Sequence, residues 1–100
     1  MNQYKVTALH WAAYNGKDAV VKQLLHAKAS VTAVDVNGST PLHYAAYNGS
    51  AVVVDMLLEA KADPKAADNF GDTPARLAEG NGHAELAARL RTAEQAAAGQ

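Results

Sequence analysis

Ten residues of this chain occur twice almost letter for letter. Thr7 to Gly16 reads Thr-Ala-Leu-His-Trp-Ala-Ala-Tyr-Asn-Gly, and Thr40 to Gly49 reads Thr-Pro-Leu-His-Tyr-Ala-Ala-Tyr-Asn-Gly. A weaker copy begins at Thr73, so that Thr7, Thr40 and Thr73 are spaced 33 residues apart. Equal spacing at that length marks small units that cannot bury their apolar faces alone and stack so that each covers its neighbour. A chain of 100 residues holds three such units and has no room for a second domain. It has no cysteine, hence no disulfide framework and no thiolate metal site, and the fold rests on packing.

Charge narrows the partners. Nine Lys and Arg against ten Asp and Glu give a net charge of −1, which lacks the positive field that nucleic acid or an anionic membrane calls for. The balance is uneven along the chain. Up to Val34, Lys5, Lys17, Lys22 and Lys28 stand against Asp18 alone, and the remainder is acidic. Met1 to Val6 has no apolar signal region and no run is long enough to span a bilayer, so the expectation is an intracellular protein, cytoplasmic or nuclear.

In chain order, Gln3 to Val6 stand where the later copies have Asp35-Val-Asn-Gly38 and Asp68-Asn-Phe-Gly71, so the first unit is expected to lack that turn. Asp and Asn in such a turn bond local backbone, and Gly tolerates positive φ. Thr7 caps a short helix through Tyr14 that Asn15-Gly16 ends. Asp18 to His26 forms a second helix, with Val20, Val21, Leu24 and Leu25 on one face. The second unit repeats this with a helix from about Pro41 to Asn48 and another from Ala51 to Ala60, whose face is Val53, Val54, Leu57 and Leu58. In the third unit the same rows read Leu86, Ala87, Leu90 and Arg91, and Glu79 replaces Ala13 and Ala46. A stacking face turns polar where no further unit covers it, so the stack is expected to end there, with Thr92 to Gln100 a fraying helical tail.

Thr40-Pro-Leu-His-Tyr-Ala-Ala, then Asn48-Gly49, Val53-Val54, Leu57-Leu58 and Ala62-Asp63, resembles the ankyrin repeat, and the likeness spans essentially the whole chain. The resemblance implies an all-α solenoid of stacked helix-turn-helix pairs with short hairpin fingers. It forms one domain over residues 1–100, with units at about 2–34, 35–67 and 68–100, the outer two acting as caps. It also implies binding of other proteins through finger tips and the concave surface of the first helices. Ala8, Ala75 and Arg76 depart from the motif, and Lys28 and Lys61 stand where the family prefers a left-handed Gly.

The candidate chemistry is sparse. His10 and His43 share one repeat position, which favours a structural bond to backbone and to the neighbouring unit over catalysis. No His, Asp or Glu cluster has metal-ligand spacing, and no nucleophile, phosphate or dinucleotide motif is present. No enzyme activity, cofactor or metal is therefore expected. Trp11 and Tyr44 read as first-helix packing residues. Tyr14 and Tyr47, with Asn15 and Asn48, end the first helices on the groove side and are expected to be exposed and to bind. The finger tips add Val36, Asn37 and Ser39 in one unit and Asn69, Phe70 and Asp72 in the next. Phe70 is the sole phenylalanine, in a turn where the preceding copy has Asn37, and needs a packing partner or a binding partner. The expected function is a monomeric, non-catalytic module for another protein, with a contact near or below roughly 1,600 Å² in total. The alternatives are a structural or self-associating array, its first unit pairing through poorly covered Val20 and Val21, or a targeting module excised from a larger protein.

Overall fold

A computed structural model describes residues 3–98. Six helices follow one another: α1 (Ala8–Tyr14), α2 (Asp18–His26), α3 (Pro41–Asn48), α4 (Ala51–Glu59), α5 (Pro74–Gly80) and α6 (Ala84–Ala98). They form three antiparallel pairs, α1 with α2, α3 with α4 and α5 with α6, and no strand occurs among the described residues. Along the stack α1 lies on α3 and α3 on α5, while the second helices touch less, with α2 against α4. The stretch from Thr92 is helical, as expected, and is part of α6. Helix α6 continues unbroken to Ala98, and Gly99 and Gln100 lie outside the described residues.

The first helices approach closely because small residues face their neighbours. Ala12, Ala45 and Ala78, one per unit, are fully buried, and Leu9 and Leu42 are buried beside them. The second helices add Val21, Val53, Val54, Leu57 and Leu90, which are also fully buried. Burying a side chain of this size stabilises by roughly 1.5–3 kcal/mol. Val21 is thus covered by its own pair and the next, against the expectation that it would be poorly covered. Only Val20 of that couple is exposed, at 39 %.

Helix starts follow one local rule. The Thr7 hydroxyl accepts from His10 N at 3.2 Å while Thr7 N donates to His10 Nδ1 at 3.1 Å, a reciprocal cap with His in the place usually taken by Glu or Gln. Thr40 and His43 repeat it. Lys28 (φ 68°) and Lys61 (φ 75°) close the second helices in the left-handed conformation, a cost on the order of 1 kcal/mol each.

Candidate functional site

The fingers are built by two aspartates. Asp35 Oδ1 accepts from Asn37 N (2.8 Å) and Ser39 N (2.9 Å), and Asp68 Oδ1 accepts from Phe70 N and Asp72 N (both 2.9 Å). Each finger is closed by two further backbone bonds, Asp35 N to Ser39 O and Gly38 N to Asp35 O in one, Asp68 N to Asp72 O and Gly71 N to Asp68 O in the other. The fingers also pair sideways, Val36 N donating to Tyr4 O and Asn69 N to Asn37 O at 2.9 Å each. A Cβ on Gly38 would stand 2.6 Å from Asn69 Oδ1, so this approach requires glycine as well as its positive φ. The first unit does not lack its turn, contrary to expectation. Gln3 and Tyr4 make it, and Lys5 takes the left-handed place of Gly38 with φ 60°.

One histidine fastens each of the first two first helices to the next finger. His10 Nε2 lies 2.8 Å from Ser39 O, and His43 Nε2 lies 2.8 Å from Asp72 O. Because Nδ1 of each ring faces a threonine amide, which can only donate, Nδ1 accepts and Nε2–H donates to the carbonyl. Both rings are buried. Burial holds the His10 pKa below its ordinary value, against the opposing pull of the Ser39 carbonyl and Asp35. In the third unit Arg76 replaces histidine and instead pairs with Asp72 at 3.3 Å.

Between these fingers and the first helices lies a groove of about 370 Å³. Tyr14 and Tyr47 stack along it with ring centroids 6.0 Å apart at 27°, each 47 % exposed. Tyr44 sits beneath them, edge-on to Tyr14 and to His10, and its hydroxyl donates to Asp35 Oδ2. Burial alone would raise the Asp35 pKa, but the Tyr44 hydroxyl and the Ser39 and Asn37 amides hold it below the usual carboxylate range. Burial, and then that same carboxylate, push the Tyr44 phenol well above its ordinary value.

The expected binding residues divide. Tyr14, Asn37, Ser39 and Tyr47 line the groove together. Val36, Asn69 and Phe70 lie outside it on exposed finger positions, Phe70 at 73 % being the most exposed large apolar residue described. Asp72 is half-buried beside Arg76. Asn15 is exposed, and its amide donates to Trp11 O of its own helix at 2.9 Å. Asn48 is exposed, with its amide against Gly16. Trp11 departs further from expectation. It is 54 % exposed rather than packed, because Tyr44 is flanked by His10 and Tyr14 of the preceding unit and Trp11 has no such neighbours among the described residues.

Sequence reading missed Asp35, His43, Tyr44, Asp68 and Leu77 as groove residues. The signal available was the spacing of nine that joins Asp35 to Tyr44 and fails at Asp68, where the same step gives Leu77. Among the described residues no group of three or more His, Cys, Asp or Glu could hold a metal ion, and no helix is long and apolar enough to cross a membrane. A family model described as ankyrin repeats (3 copies) matches residues 1–68. No curated protein matches the chain. Members of that family are generally protein–protein interaction modules and are typically not enzymes. With three stacked helix pairs, paired fingers and a match over residues 1–68, the chain belongs to the ankyrin repeat family.

Proposed function

We propose that this chain is a non-catalytic binding module whose three units act as one domain and receive a segment of another protein in the groove between tyrosines and fingers. The observation that carries the reading is the Tyr14–Tyr47 stack, half-exposed on two short capped helices beside a groove. Aromatic rings held on rigid elements present large contact area with little ordering cost on binding. The polar groups around them, His43 and Asp35, are engaged in holding the fingers and are not free for chemistry.

Capture of partners on immobilised chain, followed by mass spectrometry, identifies the ligand. Changing both Tyr14 and Tyr47 to Ala is expected to weaken that partner by about 1 kcal/mol or more with the melting curve nearly unchanged. Unaltered affinity in the double variant removes the tyrosines from the site.

A second reading, self-association through the first unit, is favoured by Trp11 at 54 % and Val20 at 39 % exposure on the outer side of the first pair. Sedimentation over a concentration series decides it, and a strict monomer at high concentration rejects it.

A further inference from the structure

Asp35 and Asp68 hold the same place in successive units, and their Oδ1 atoms do the same work for the finger amides. Their second oxygens do not. Asp35 Oδ2 accepts the Tyr44 hydroxyl, and that residue is left only 6 % exposed. At the equivalent of Tyr44 the third unit has Leu77, which has no donor, and at the equivalent of Tyr47 it has Gly80, which has no side chain. Asp68 Oδ2 consequently has no donor among the described residues. It lies in a half-buried residue on the wall of the same groove of about 370 Å³, which Tyr47 and Leu77 also line.

We propose that this groove takes an arginine or lysine side chain of a partner's segment, with its cationic head at Asp68 Oδ2 and its methylene stem along Leu77 and Tyr47. The inference rests on the reading that the groove receives protein. The second unit supplies the template, since Tyr44 shows what an N–H or O–H donor does at this oxygen. Charge complementarity selects the donor: two carboxylates line the groove and no Lys or Arg does, while both His43 nitrogens are occupied. A neutral hydroxyl would satisfy the hydrogen bond and leave the charge unmatched, whereas a cation does both. Lys and Arg also carry the apolar stem that a wall of leucine and tyrosine suits, and a cation beside a tyrosine face gains further.

The test is a nuclear magnetic resonance titration of the full, ¹⁵N-labelled chain with Nα-acetyl-arginine amide, Nα-acetyl-lysine amide and the uncharged isostere Nα-acetyl-citrulline amide. Shifts concentrated at Tyr47, Asp68 and Leu77 with at least one cation, and about tenfold weaker binding of citrulline, support the proposal. Asp68→Asn keeps an oxygen for the finger amides and should weaken the cation about tenfold, while Glu59→Gln at an exposed position of α4 makes the same charge change and should leave it unaltered. Leu77→Tyr offers Asp68 the donor that Asp35 has and should block binding without removing any charge. Citrulline binding as well as arginine, or cation binding that survives both Asp68→Asn and Leu77→Tyr, overturns the proposal. Dependence of partner capture on Tyr14 and Tyr47 would then still stand, because that measurement uses neither variant nor probe.

Discussion

At the first helix pair Val20 and Trp11 are exposed and Leu24 is half-buried, whereas the outward rows of the third pair hold Glu79 and Arg91, joined by two contacts of 3.1 Å. The rows concerned are different ones. Positions such as Val20 and Leu24 look toward the preceding unit, and their counterparts Val53, Leu57, Leu86 and Leu90 are all buried by one. Positions such as Ala13 and Leu25 look toward the following unit, and there the third pair substitutes charge. The molecule therefore meets solvent with apolar side chains at one end and with an exposed ion pair at the other. A solvent-exposed pair of this kind is screened and adds little to stability, so its effect is on what can stack there.

The two ends should differ most in their second helices. Leu57→Ala removes a fully buried side chain and is expected to cost about 3 kcal/mol, while Leu24→Ala at the half-buried first-unit position should cost about 1 kcal/mol. Urea denaturation measures both, and equal losses would mean that the first pair is packed as well as the middle one. The histidine fastening comes next. His43→Ala leaves the Asp72 carbonyl and the Thr40 amide short of a partner and should cost about 2 kcal/mol, against less than about 0.5 kcal/mol for Arg76→Ala at the corresponding exposed place.

Smaller changes sharpen the contrast. Lys61→Gly relieves a left-handed backbone and should raise stability by roughly 0.5–1 kcal/mol, and Lys28→Gly should add less if the first pair opens before the rest. The smallest response is to pH. His10 has a folded pKa below 6.5, so the unfolded chain takes up its proton first, and its contribution is lost as pH falls from 6.5 through the folded value. Glu79, held low by Arg91 at the other end, responds only below 4.5. Amide hydrogen exchange between pH 7 and 5 should therefore loosen the first pair while the third is unchanged. Uniform loosening would contradict the assignment to His10.

Much of the architecture could be read from letters because a repeat states its own register. The helix starts at Thr7, Thr40 and Thr73 and the change to Glu79 and Arg91 were visible without coordinates, since each follows from comparing one copy with the next, and the left-handed lysines followed from the family resemblance. Trp11 was misread for the same reason. Its register equals that of Tyr44, but exposure depends on the unit in front, and only Tyr44 has His10 and Tyr14 there. The Lys5 turn was hidden because lysine is a poor predictor of positive φ, which the paired backbone of the next finger imposes. Asn15 is exposed as its register implies, and its bond to the Trp11 carbonyl of its own helix is seen only in the structure.

Spacing in the chain alone determined the three units, their apolar rows and the positions that recur, because identical local sequences choose identical local conformations. Tertiary structure decided which member of each row is covered and which of two equivalent aspartates is left without a donor. Those are properties of neighbours, and along a stack no two units have the same neighbours.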